Sequence, residues 1–315
     1  MRGGRALLLR LFQLTPRKVV WRFARTYIAG ETLDEAVRTI ERLNGEGCRA
    51  TLDVLGEDVA SEPEVAACVD EYKRAVQAIA RHGLDANVSV KPTAMGIKLS
   101  PELAVESVTE VLGAAARHGM SVRLDMEDSS VTESTLELYR RLRASGFENV
   151  GVVLQAYLRR TLVDVRRLAA DGASVRVCKG IYVEPREIAY KDFWLIRDSF
   201  RDAVEALLRA PGARVAIATH DDWLVYQCRR LIADLEVSRE HYEYQMLLGV
   251  DAQLRRLIVA EGHPMRVYVP YGSGWFPYST RRLVENPRLA GHVIRNVLGF
   301  GPERGGRRLD PSQSR

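Results

Sequence analysis

Cysteine is scarce in this chain. There are four in 315 residues, Cys48, Cys68, Cys178 and Cys228, and no two are close in sequence. Without a Cys-x-x-Cys pair, neither a structural zinc site nor a disulfide framework is expected, and a reducing cytoplasm fits. Long apolar runs are also missing, so no membrane-spanning helix is expected. Leu7-Leu8-Leu9 is interrupted by Arg10 and lacks a small-residue cleavage site after it, which argues against a signal peptide. No Gly-x-Gly-x-x-Gly follows the first strand-like stretch, which argues against a dinucleotide domain of that kind. The same stretch has no His-x-His, and His82, His118, His220, His241, His263 and His292 are scattered, so no metal centre is expected. A Gly-x-Ser-x-Gly elbow and a Walker loop are lacking as well. The net charge of +5 is spread over a chain that is 28% charged, which does not imply nucleic acid.

Acidic residues are absent until Glu31, and this sets off the first 30 residues. Arg2, Arg5, Arg10, Arg17, Lys18, Arg22 and Arg25 alternate with Leu7, Leu8, Leu11, Phe12, Val19, Val20, Trp21 and Phe23. Residues 1–30 therefore read as a basic amphipathic helical arm. It is expected to pack on the main domain, and its basic face suits peripheral contact with an anionic membrane. The tail, residues 301–315, is rich in Gly, Arg, Pro and Ser and is expected to be disordered.

Between these ends one pattern recurs. A helical stretch ends in a small residue, Ala80, Ala116, Ala144, Ala170, Ala210 or Ala260, with a glycine shortly after it, and a short β-rich run follows. His82-Gly83 precedes Asn87 to Lys91, His118-Gly119 precedes Ser121 to Asp125, and Ser145-Gly146 precedes Val150 to Gln155. Asp171-Gly172 precedes Ser174 to Lys179, Pro211-Gly212 precedes Arg214 to Thr219, and Glu261-Gly262 precedes Arg266 to Val269. Arg49 to Leu55 and Glu243 to Leu248 complete a set of eight strands. Glycine suits the left-handed turn that stops a helix. Strands joined through helices are parallel. With 46% hydrophobic residues to build a core, residues 31–300 are expected to form a (βα)8 TIM-like barrel, an α/β fold. An open doubly wound sheet is the alternative.

Barrels carry their chemistry at the C-terminal ends of the strands. Those ends read Asp53 to Glu57, Lys91, Asp125-Met126-Glu127, Gln155-Ala156-Tyr157, and Arg176 with Lys179-Gly180-Ile181-Tyr182. The last three are Ala218-Thr219-His220, Gln245-Met246-Leu247, and Tyr268. After Val269 the chain breaks at Pro270 and Gly272-Ser273-Gly274, then opens a helix at Tyr278-Ser279-Thr280-Arg281-Arg282. Tyr278 and Arg282 share a helix face. Taken singly, each polar residue has a structural explanation, such as an ion pair of Lys91 with Asp125 or Glu57. Together, cations on strands two, five and eight with anions on one and three form a cluster that a core would not keep without use. Two forked guanidiniums suit a carboxylate or a phosphate. The residues alone point to a barrel that binds a small anionic substrate. A Schiff-base lysine at Lys91 or Lys179, as in an aldolase, stays open.

Seven of these pieces, Asp53 to Glu57, Ser89 to Lys91, Leu124 to Glu127, Val153 to Tyr157, Arg176 to Tyr182, Ala218 to His220 and Tyr278 to Arg282, resemble the proline dehydrogenase family in order. The chain length is similar to its monofunctional bacterial form. The resemblance implies an FAD-dependent enzyme that oxidises L-proline to 1-pyrroline-5-carboxylate, the first step of proline breakdown to glutamate, and passes electrons to a quinone. It implies that Arg281 and Arg282 clamp the proline carboxylate, with Lys91 as a third cation and Glu57 orienting one arginine. Tyr278 and Leu247 would wall the substrate ring, with Tyr268 and Tyr182 nearby. Arg176 would stabilise charge at the flavin, and Asp125 would organise Lys91 and the polar floor. Met126, Gln155, Lys179, Gly180, Ile181, Ala218 and Thr219 would contact FAD.

Overall fold

A computed structural model of the chain describes residues 24–276, together with Trp21 and Ser279. The expected clamp residues Tyr278, Arg281 and Arg282, most of the N-terminal arm and the tail at 301–315 lie outside the described residues. The chain divides into two compact units, of which Arg25–Trp275 forms the barrel. In the other unit, Trp21, Ala24, Phe276 and Ser279 are helical.

The barrel unit opens with helix α1 (Leu33–Gly45) and then alternates strand and helix. In order these are β1 (Arg49–Val54), α2 (Glu62–Arg81), β2 (Ala86–Val90), α3 (Pro101–Ala116), β3 (Val122–Leu124) and α4 (Thr132–Ala144). Then come β4 (Val150–Gln155), α5 (Thr161–Ala170), β5 (Ser174–Cys178), α6 (Phe193–Leu208) and β6 (Arg214–Ala218). The unit finishes with α7 (Asp222–Asp234), β7 (Tyr242–Leu247), α8 (Ala252–Ala260) and β8 (Met265–Tyr271). All eight strands are parallel, each pairs with the next in sequence, and β8 closes on β1. This is the (βα)8 barrel expected from the repeat.

Local chemistry explains the elements. In α1, Ala36, Val37, Ile40 and Leu43 are buried at helical spacing, and Thr32 and Glu35 form a reciprocal capping box at its start. In α2, Val65, Val69, Tyr72, Val76 and Ile79 make the buried stripe. The glycines after the helices are left-handed, as at Gly83 (φ +61°) and Gly262 (φ +79°). Strand β4 is buried at every position, as a parallel strand covered on both faces must be.

The structure departs from the sequence reading at β8. The strand runs through Pro270 to Tyr271, where a break was expected. Pairing with β7 ends at Leu247 opposite Tyr268, so Pro270 has no β7 residue beside it that needs its missing N–H. The Pro270 carbonyl instead accepts from Ala29 N–H at 2.9 Å, and Gly272 N–H donates to Gly30 O at 3.1 Å. Residues 29 and 30 thus take over the side of β8 that β7 has left.

Alternate residues of the strands carry polar groups into the barrel. A lower layer links Thr51, Asn87, Arg266, Glu243 and Arg123. Thr51 Oγ1 donates to Asn87 Oδ1 at 2.6 Å, and Arg266 Nε donates to Glu243 Oε1 at 2.7 Å. The guanidinium of Arg123 crosses to Ser174 O at 2.7 Å. Gly151 leaves room for it, since a Cβ there would lie 2.6 Å from Arg123 Nη1. Burial lowers the pKa of Arg123 to about 9.

Candidate active site at the barrel mouth

Above that layer the strand ends bring four buried or nearly buried charges together: Asp53 from β1, Lys91 after β2, Asp125 after β3 and Arg176 from β5. Two cations face two carboxylates, which is the condition under which a barrel interior tolerates ions. Lys91 Nζ donates to Asp53 Oδ1 at 2.5 Å. This differs from the pairing with Asp125 or Glu57 weighed from sequence. Register explains it: Asp53 lies opposite Ser89, so the next inward residue of that β2 face, Lys91, reaches over Asp53. Burial works against the Lys91 ammonium, but the carboxylates of Asp53 and Asp125 outweigh it and hold its pKa above the ordinary lysine value. Burial pushes the Asp53 carboxyl upward, and its Oδ2 has no hydrogen-bond partner among the described residues.

Asp125 is the hub. Its Oδ1 accepts from Ser89 Oγ at 2.5 Å and from Arg176 Nη1 at 2.6 Å, and its Oδ2 accepts from Tyr268 O–H at 2.6 Å. Burial alone would raise its pKa, but Arg176 and then Lys91 outweigh this and hold it below the usual carboxylate range. The Arg176 guanidinium also lies 5.3 Å from the centre of the Tyr268 ring. Its Nε donates to Gln245 Oε1 at 2.5 Å. Its Nη2 is buried with no partner among the described residues. A buried, partnerless guanidinium N–H is costly unless a ligand completes it.

The rim carries the other expected residues. Gln155 is buried, and its Nε2 donates to Glu127 O at 2.8 Å. Glu127 in turn accepts from Thr93 N–H at 2.9 Å and Thr93 Oγ1 at 2.6 Å. Met126 and Thr219 are buried, Ala218 and Leu247 half-buried, Ile181 exposed, and Glu57 half-buried on the loop after β1. Leu247 N–H donates to His220 Nε2 at 2.9 Å. Lys179 Nζ donates to Asp221 Oδ2 at 2.6 Å, and Arg197 Nη2 to Asp221 Oδ1 at 2.6 Å. Asp221 also caps α7 through Trp223 and Leu224 N–H. Burial favours its neutral form, but Arg197 and Lys179 outweigh that and depress its pKa. Arg197 is surrounded by the rings of Phe193, Trp194 and Trp223 at 4.2, 4.8 and 5.2 Å.

Gly180 turns the chain after β5 with φ +100°, and a Cβ there would lie 2.1 Å from Tyr157 Cδ1. Gly180→Ala is therefore expected to destabilise the protein by about 1–3 kcal/mol through backbone strain and the clash. A thermal melt checks this, and an unchanged midpoint would mean that the Tyr157 ring gives way freely.

The structure thus joins Lys91, Asp125, Arg176 and Tyr268 in one network. The site roles read from sequence omitted three of the network's members, Asp53, Ser89 and Gln245, and also Asp221 on the rim. Asp53 and Ser89 had a readable signal, because they fall on the same alternating inward face as Thr51, Asn87 and Lys91. Gln245 had the same signal on β7, two residues after Glu243. The Arg197–Asp221 contact had none, since it joins a helix face to a strand-end loop.

Comparison with known proteins agrees with this architecture. The profile of the proline dehydrogenase family matches residues 36–295. Proline dehydrogenase 1 of Bacillus subtilis is 39% identical over 275 residues, covering 87% of this chain and 90% of its own. Proline dehydrogenase of Deinococcus radiodurans is 32% identical over 286 residues, covering 90% and 92%. Among solved structures, proline utilization A of Bdellovibrio bacteriovorus, inactivated by N-propargylglycine, superimposes with a TM-score of 0.79 at 27% identity. That match covers 88% of this chain and 34% of the larger protein. With its closed barrel, its charged mouth and a family match over most of its length, the chain belongs to the proline dehydrogenase family.

Proposed function

We propose that this protein is an FAD-dependent dehydrogenase that oxidises L-proline to 1-pyrroline-5-carboxylate. The observation that carries the reading is Arg176, a buried guanidinium held on two sides whose Nη2 has no partner among the described residues, in a chain of this family. That spare donor suits a flavin, whose ring gains negative charge on reduction. Lys179 and Arg197 bring two cations to the single carboxylate of Asp221, and the surplus positive charge suits a diphosphate. Met126, Gln155, Lys179, Gly180, Ile181, Ala218 and Thr219 would hold the cofactor with Arg176. When bound, FAD supplies the two-electron acceptor that the side chains lack.

The chain's own part is binding, orientation and charge. Lys91 adds a fixed positive charge beside the substrate position, and Tyr268 and Leu247 wall it. For the carboxylate we retain Arg281 and Arg282 as the clamp, with Tyr278 and Glu57 in supporting roles. Neither Asp125 nor Lys91 is a proton acceptor near neutrality. The first is held ionised by three donors with a depressed pKa, and the second stays an ammonium. The substrate nitrogen must therefore arrive without its extra proton, so that its lone pair can form the C=N bond as hydride leaves the adjacent carbon. Electrons would then pass to a quinone. The basic arm of residues 1–30 would serve peripheral contact with the inner face of the membrane in a cytoplasmic protein. Among the described residues no helix is long and apolar enough to cross a membrane.

The test is to add L-proline anaerobically to the purified, flavin-loaded protein and follow the flavin absorbance. Bleaching is expected, with an initial rate at subsaturating proline that rises toward alkaline pH. No bleaching would overturn the activity, and a flat profile from neutral to alkaline pH would overturn the requirement for a deprotonated amine. The aldolase alternative is disfavoured by family membership and by Lys91. A Schiff-base lysine needs a lowered pKa, and here the carboxylates drive it upward.

A further inference from the structure

Gln245 on β7 joins the mouth to the lower polar layer, and the reaction as described leaves it without a role. It is 5% exposed, and its carboxamide lies between two chemically different neighbours. On one side Nε2 donates to Glu243 Oε1 at 2.6 Å, and that carboxylate also accepts from Arg266 Nε at 2.7 Å. Burial works against the Glu243 charge, but Arg266 outweighs it and keeps the pKa below the ordinary value, so Glu243 accepts only. On the other side Oε1 accepts from Arg176 Nε, which can only donate. A carboxamide between an acceptor-only and a donor-only neighbour has one satisfactory orientation, and the reversed amide would face both with like groups. Arg176 is then held at Nε by Gln245 and at Nη1 by Asp125. A planar guanidinium fixed at two nitrogens has its third direction set as well. That third nitrogen is Nη2, which has no partner among the described residues.

We propose that Gln245 is a positioning residue: its carbonyl, oriented by Glu243, sets the plane of the Arg176 guanidinium so that Nη2 is presented to the cofactor. The inference rests on the flavin reading above. Without Gln245, Arg176 keeps Asp125 and Ser89 at Nη1, at 2.6 and 3.5 Å, and the Tyr268 ring beside it, but loses the bond at Nε that fixes its plane. The donor would still be present, but no longer aimed.

Gln245→Met keeps the side-chain length and removes both hydrogen bonds. In the flavin-loaded protein we expect kcat for proline to fall about tenfold, since a small misplacement of a catalytic group costs up to about 100-fold. We expect KM to stay within about twofold, because the change does not touch uniform substrate binding. The midpoint potential of the bound flavin should become more negative, a readout that a purely structural role would not move. In an Arg176→Met background, Gln245→Met should add nothing, because the group it aims is gone. Glu243→Gln, which leaves Gln245 beside an amide that can donate or accept, should shift the potential the same way by less. It also serves as the test if Gln245→Met does not fold. An unmoved potential in these variants, or losses that add in the double variant, would overturn the proposal. Wild-type protein that takes up no flavin, or does not bleach with proline, overturns the functional reading itself. Bleaching by wild type alongside an unmoved potential in Gln245→Met overturns only the role of Gln245.

Discussion

Replacing Arg176 by methionine is expected to slow proline oxidation at saturating substrate by about 100- to 1,000-fold, the loss that follows removal of one preorganised donor from a site of developing charge. The reason lies in how the guanidinium is prepared. It is buried, its Nε and Nη1 are already bonded to Gln245 and Asp125, and its Nη2 has no partner among the described residues. Little reorganisation is left to be done when charge develops. The fold should survive the change, since Asp125 keeps Ser89 and Tyr268 as donors. Arg176→Lys is not expected to rescue, because one ammonium on a flexible stem cannot reproduce the fixed fork of Nε, Nη1 and Nη2. Rapid-mixing measurement of flavin bleaching under anaerobic conditions reads the effect. A rate within about threefold of wild type would remove Arg176 from the chemistry, since an oriented donor is worth far more than that.

The largest effect on stability is expected at Asp125. Its removal in Asp125→Ala strips the buried Arg176 of its one ion-pair partner among the described residues and takes from Lys91 one of the carboxylates that hold it charged, and breaking a buried pair from one side costs about 3–5 kcal/mol. Asp125→Asn keeps the shape and should cost less. The pH dependence has a definite sign. The pKa of Asp125 is depressed in the folded state, so its contribution is fully present above the unfolded value of about 3.9 and is lost as pH falls through the folded value. Asp53 runs the other way. Burial raises its folded pKa, so its protonation on acidification relieves part of the cost of burying it. The stability gap between wild type and Asp125→Asn should therefore be widest near neutrality and narrow below about pH 4. Urea unfolding at pH 7 and pH 3 measures the gap, and one that stays constant or widens in acid would place the Asp125 stabilisation elsewhere than in its ionised form.

Both predictions concern residues that were visible in the sequence and contacts that were not. The repeat of helix, glycine stop and β-rich run follows from local chemistry. Amphipathic spacing, left-handed glycines and β-branched runs act over a few residues, so the eight units, their parallel sense and the mouth as the place of chemistry could be read along the chain. The types of charge at the strand ends, Lys91, Asp125 and Arg176 among them, followed as well, because alternation along a strand assigns a side chain to the inside or outside.

Partner choice is decided by closure and register, which the linear order does not contain. Lys91 meets Asp53, 38 positions away, because β1 and β2 are aligned so that Asp53 faces Ser89. Arg176 meets Gln245 across 69 positions because β5 and β7 converge inside a closed cylinder. Pro270 is admitted into β8 only because β7 has already ended beside it. The sequence by itself determined the number, kind and order of the elements and the sort of groups at the mouth. Tertiary structure decided which of those groups touch, since a hydrogen bond needs its atoms about 3 Å apart, and only the closed barrel brings groups so distant in sequence that near.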